Sequence, residues 1–86
     1  MADYLLTRQY LEELAVFEKS VSARDFQRLE ETMAAIVQNP NLPGRVLSYY
    51  DPSTPSYLYR SGNLLIHFRL PNPTVVEFLN LFWPRV

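Results

Sequence analysis

The stretch YLYRSGNLLIHFRL, residues 57–70, decides how this chain folds. It reads as two short strands around Gly62-Asn63, a dipeptide that suits a two-residue hairpin turn. With that turn, Arg60 pairs with Leu65, and directly opposed residues point to the same face of a sheet. The stretch therefore predicts a β-hairpin with a fixed register.

The two faces of this hairpin differ in chemistry. The polar face carries Arg60, His67 and Arg69. The apolar face carries Tyr57, Tyr59, Ile66 and Phe68. A shift of the pairing by one residue would turn the side chains of one strand to the opposite face and mix apolar with polar residues. The apolar residues share one face only in the proposed register, which supports it. We expect the apolar face to pack on the core and the polar face to be open to solvent.

Composition limits the kinds of protein this can be. The 86 residues predict one domain, 1–86, and a 48% hydrophobic share is enough for one core. Eight basic against nine acidic residues do not give the basic excess typical of nucleic-acid-binding domains. With no cysteine and one histidine, the sequence predicts no disulfide, no metal site and no cofactor.

The chain start and its apolar runs bear on location. MADYLLTRQYLEEL has no basic segment followed by an apolar run, so we expect no signal peptide. No apolar run approaches the length of a transmembrane helix. The sequence therefore predicts a soluble, cytoplasmic protein without a membrane partner.

Two helices are predicted in the first half. The first follows Thr7 as N-cap, and the second follows Ser22 in the capping-box-like S-A-R-D. Asn39-Pro40 ends the second helix, because proline disfavours helical geometry in the preceding residue. The apolar positions at helical spacing are Tyr10, Leu11, Leu14, Phe17 and Val21 in the first helix, and Phe26, Leu29, Met33, Ile36 and Val37 in the second.

The remaining elements predict the fold class. Tyr4–Leu6 reads as a strand, Arg45–Tyr50 as an irregular strand, and Thr74–Trp83 as a central strand that is apolar on both faces. The expected fold is a two-layer α+β domain: an N-terminal strand, a helical hairpin and an antiparallel three-stranded meander. One sheet face would take the helices.

The polar face of the hairpin is a candidate site. Arginine binds phosphate bidentately, and histidine exchanges protons near neutral pH. Arg60 and His67 could therefore hold a phosphodiester and move a proton on it, with Arg69 further along the strand. Arginine and histidine are equally ordinary on a solvated sheet face, so both interpretations stay open.

Four segments, taken in order, resemble the RelE/ParE toxins of bacterial toxin–antitoxin systems. They are YLLTRQYLEELAVF, LEETMAAIVQNPNLPGRVL, YLYRSGNLLIHF and VEFLNLFWPRV, and they span nearly the whole chain. They are similar to the family's first strand and helix, its second helix with the following loop, its central hairpin, and its last strand with an Arg-bearing end.

The resemblance implies a cytoplasmic toxin neutralised by a cognate antitoxin. RelE-like members cleave mRNA on the ribosome with the RNA 2′-hydroxyl as nucleophile, whereas ParE-like members inhibit DNA gyrase. By position, Arg60 matches the family's arginine at the end of the second strand, and Arg85 matches the arginine just after the last strand. His67 does not stand at the family's terminal catalytic position, but it could substitute as the proton carrier. The implied catalytic set of an mRNA interferase is Arg60, His67 and Arg85.

Departures from the family pattern keep three interpretations open. Leu65 stands where many members have a second arginine, and we expect the C-terminal tail that often supplies a catalytic residue to be missing after Val86. The three are an RNA-binding ribonuclease, a ParE-like toxin that inhibits its target by binding without catalysis, and a degenerate family member that acts only as a protein-binding module. Leftover apolar surface on Thr74–Trp83 would bind an antitoxin segment or form a homodimer.

Overall fold

The computed structural model describes residues 3–48 and 53–84. The chain runs β1 (Asp3–Leu6), α1 (Arg8–Ser20), α2 (Ala23–Gln38), β2 (Val46–Ser48), β3 (Ser56–Ser61), β4 (Leu64–Asn72) and β5 (Val75–Phe82). The α+β class expected from the sequence is confirmed.

The strands form one five-stranded mixed sheet in the order β1-β5-β4-β3-β2. β2 to β5 pair antiparallel in succession, and β1 pairs parallel with β5. The antiparallel run has four strands rather than the predicted three, because β2, which lies within the predicted irregular strand Arg45–Tyr50, pairs with β3. The expected interior position of the last strand is confirmed, since β5 lies between β1 and β4.

Both helices begin at the predicted caps. The Thr7 hydroxyl accepts a hydrogen bond from the Tyr10 backbone N–H at 3.1 Å, and the Ser22 hydroxyl accepts one from that of Asp25 at 3.2 Å. α2 stops at Asn39, before a proline, as expected. These side chains satisfy backbone donors that a helix start otherwise leaves without partners.

The helices cover one face of the sheet, and the core lies between the two layers. Its buried apolar residues are Tyr10, Phe17, Leu29, Ile36, Leu64, Ile66, Phe68, Val76, Phe78 and Leu81. Tyr57 and Tyr59 pack against this cluster, as the face assignment predicted. Leu11, one of the apolar positions at helical spacing on α1, is exposed.

A β-bulge interrupts the pairing of β4 with β5. His67 pairs with Asn80 and Phe68 pairs with Phe78, so Leu79 is an extra residue on β5. Two side chains, one on α1 and one at its N-cap, form hydrogen bonds with the backbone of the bulge. The Thr7 hydroxyl donates to the Leu79 carbonyl at 3.3 Å, and the Glu13 carboxylate accepts from the Leu81 N–H at 3.2 Å.

Neither helix in the described ranges could cross a bilayer. The longer one, α2, has 16 residues, and a span needs about 20 mainly apolar ones.

Tyr10 gives a stability prediction. Its side chain is fully buried, and its hydroxyl has no hydrogen-bond partner among the described residues, so Tyr10→Phe should raise the free energy of unfolding by about 1 kcal/mol. Burial, with a smaller contribution from the Glu13 carboxylate, raises the pKa of the phenol well above its ordinary value. The stability of the wild type should therefore fall as pH rises above about 10, the ordinary tyrosine value.

Urea unfolding at neutral pH and near pH 11 checks both statements about Tyr10. The variant should have the higher midpoint at each pH, and its advantage should grow at alkaline pH. A lower midpoint for the variant at neutral pH would mean that the hydroxyl has a stabilising partner.

Candidate functional site

The hairpin that carries the candidate site has the predicted register. Arg60 pairs with Leu65, Leu58 with His67, and Ser56 with Arg69. Gly62 in the turn has a φ of +59°, a conformation that favours glycine. Arg60, His67 and Arg69 therefore share one face of the sheet, as the sequence predicted.

His67 lies in the middle of that face and is buried, with only 4% of its surface exposed. It sits on β4, the central strand, between Leu58 on one side and Asn80 on the other. The expectation of a face open to solvent is wrong at this position. Ser56, on the same face, is also buried.

Asn80 orients the histidine ring. Its side-chain oxygen lies 2.9 Å from Nδ1 of His67. An amide oxygen can only accept a hydrogen bond, so Nδ1 carries the proton in this arrangement. In a neutral ring the lone pair is then on Nε2, which would be the proton acceptor in any acid–base chemistry.

Arg69 is neutralised by Glu77. The two residues are directly opposed on β4 and β5, and the Arg69 Nε donates to the Glu77 carboxylate in a salt bridge. Both side chains are partly buried, so the pair is better shielded from solvent than a typical surface ion pair. Arg69 thus has a structural partner, and the paired Glu77 carboxylate offsets its attraction for an RNA phosphate.

Sequence reasoning missed both partners on β5. Glu77 and Asn80 are three residues apart, so a regular strand would point them to opposite faces. The extra residue of the bulge, Leu79, brings both to the face of His67 and Arg69. The one available signal was that Glu77 and Asn80 are the two polar residues between Val75 and Phe82.

Arg60 is the exposed member of the predicted set. It lies near the end of β3, and its diagonal neighbour across the pair is His67. Within residues 3–48 and 53–84, its guanidinium forms no hydrogen bond and no ion pair. Arg60 is therefore available to an anion, and the histidine beside it is buried.

The third member of the predicted set, Arg85, lies outside the described residues. Of the members of the set that the structure describes, Arg60 and His67 lie diagonally opposite each other on β3 and β4. The described part of the chain contains no group of three or more potential metal ligands among histidine, cysteine, aspartate and glutamate.

The other surface feature is an apolar groove on the helix side of the sheet, between α2 and β1. Its volume is about 410 Å³, within the range of ligand and peptide pockets. The apolar residues that line it are Tyr4, Leu6, Met33, Ala34, Val37 and Phe78. Glu30 and Gln38 are the polar lining residues.

β1 beside this groove is an edge strand. It pairs only with β5, and its two middle residues are the exposed Tyr4 (56%) and Leu5 (55%). An edge strand presents unpaired N–H and C=O groups that can pair with another chain. The sequence predicted leftover apolar surface on the last strand, Thr74–Trp83. Val76, Phe78 and Leu81 of that strand are buried, and Phe82 near its end is exposed.

Comparisons of the chain with protein-family models, with curated proteins and with solved structures find no match.

Proposed function

We propose that this chain is the toxin component of a RelE/ParE-like toxin–antitoxin system and acts by binding proteins rather than by cleaving RNA. The apolar groove between α2 and β1 is the observation that carries the proposal. The order of the elements supports the family: an N-terminal strand, a helical hairpin and an antiparallel run of strands.

The occupant of the groove is an extended segment of the antitoxin. Added alongside β1, such a segment would complete the sheet edge with main-chain hydrogen bonds. Tyr4 and Leu6 both line the groove, so alternate residues of β1 face it. Alternate side chains of the added strand would point to this same side of the sheet, where apolar groups would cover Met33 and Val37.

Binding to the protein product of the neighbouring gene tests the proposal. The two purified proteins should form a complex that stays together on size-exclusion chromatography. The chain alone should inhibit growth, and the complex should not. Absence of a complex, or self-association of the chain through the same groove, would contradict this assignment.

A ribonuclease is the second candidate. The observation in its favour is the unpaired Arg60 next to a histidine whose ring is oriented by Asn80. The burial of His67 and the pairing of Arg69 with Glu77 argue against it, because proton transfer to RNA needs contact with the ring.

We predict that the wild type cleaves no mRNA in a translating extract. Arg60→Ala and Arg85→Ala should likewise leave the mRNA intact. In a ribonuclease, loss of one such phosphate-binding donor would lower the rate by about 10²–10³-fold. Arg69→Ala is the comparison variant, since its partner is Glu77. If the wild type and Arg69→Ala cleave mRNA and Arg60→Ala does not, the chain is a ribonuclease and the binding proposal is wrong.

A further inference from the structure

A second pocket, with no lining residue in common with the groove, lies where four segments meet. These are the end of α1, the start of α2, the β3–β4 turn and the residues after β5. Six lining residues matter here: Phe17, Asp25, Arg28, Asn63, Leu64 and Trp83. The volume is about 240 Å³, below the usual range of about 300–1,000 Å³ for drug-sized ligands, so the pocket suits a smaller molecule.

The floor of this pocket is apolar and aromatic. Phe17 and Leu64 are buried, and Trp83 packs edge-on against Phe17 with 4.9 Å between ring centroids. An apolar or aromatic group of a ligand would gain contact area here, and aromatic pairs add to the effect of burial alone.

The rim carries a cation, the guanidinium of Arg28. In the described part of the chain, the Arg28 guanidinium forms no hydrogen bond and no ion pair. It lies against the turn: a Cβ added at Gly62 would be 2.7 Å from its Nη1 atom. The turn glycine thus leaves room for the guanidinium beside the pocket, where it can bind a carboxylate.

The rim also carries an anion. Asp25 lies three residues before Arg28 on α2, yet the two side chains form no ion pair. Asn63, on the turn, adds an amide. Separate positive and negative groups above an apolar floor match a molecule with a carboxylate, an ammonium group and an apolar side chain. We propose that this pocket binds a free α-amino acid with a large apolar side chain.

The fluorescence of Trp83 tests this directly, because it is the only tryptophan in the chain and lines the pocket. Titration with L-phenylalanine should give a saturable change in its emission. Phenylacetate lacks the ammonium group and phenethylamine lacks the carboxylate, so each should bind at least about tenfold more weakly. No saturable change, or equal binding of either analogue, would overturn the proposal.

Variants at the rim complete the test. Arg28→Ala and Asp25→Asn should each weaken L-phenylalanine binding by about tenfold or more. Asp25→Asn keeps the backbone N–H that bonds to the Ser22 hydroxyl, so α2 keeps its cap. Arg24→Ala, an exposed arginine on the same helix outside the pocket lining, should bind like the wild type. Unchanged affinity in Arg28→Ala, or equal loss in Arg24→Ala, would show that the rim charges do not recognise the ligand.

Discussion

Replacing Ala34 with arginine is expected to weaken antitoxin binding by about 100-fold, or about 3 kcal/mol, the scale of a hot-spot residue. Ala34 lies on the exposed side of α2 and lines the apolar groove. An arginine there puts a long charged side chain where we expect an apolar one to dock. Glu30 lies one helical turn before Ala34 and also lines the groove, so the arginine can pair with it, but docking of an apolar segment would strip water from both charges and so oppose binding.

The substitution should leave the fold intact, because alanine and arginine are both strong helix formers. Val16→Arg is the matched control: it makes a comparable change at an exposed apolar position on α1, outside the groove. Isothermal titration with the antitoxin should show the loss for Ala34→Arg alone. Equal affinities for Ala34→Arg and the wild type would mean that the partner docks elsewhere.

Phe78→Ala is expected to lower the free energy of unfolding by about 3–5 kcal/mol. Phe78 is fully buried on an interior strand, and its ring lies 5.3 Å from that of Tyr10 and 6.4 Å from that of Tyr4, centroid to centroid. Truncation would leave a cavity next to the groove. Since small domains have about 5–15 kcal/mol of stability in total, the variant should be close to unfolding.

Phe82→Ala is the control on the same strand. Phe82 is 46% exposed, so its truncation removes less buried surface and should cost about 1 kcal/mol or less. Urea unfolding followed by far-UV circular dichroism compares the two variants. Similar midpoints for both would show that Phe78 contributes no more to the core than an exposed residue.

Short-range patterns predicted much of this fold. The caps at Thr7 and Ser22, the helix end before Pro40 and the hairpin register around Gly62 all depend on residues close to each other in the chain. Their physical causes are local: hydrogen bonds to nearby backbone groups, the backbone limits of proline, and the conformational freedom of glycine. Such features can be predicted from one sequence.

The position of β1 could not be predicted in this way. β1 pairs in parallel with β5, about 70 residues later, and no local pattern encodes that contact. It depends on how the helical hairpin crosses the sheet, because parallel strands need a long connection between them. The groove beside β1, which carries the proposed function, follows from this same arrangement.

The sequence alone determined that Arg60, His67 and Arg69 share one face, because strand alternation and a two-residue turn suffice for that. Only the tertiary structure decided what this face can do. The bulge at Leu79 brings Asn80 against His67 and Glu77 against Arg69, and the histidine is buried rather than open to solvent. One extra residue in a strand changes which side chains share a face, and this change depends on the partner strand and on α1 contacts that no local pattern contains.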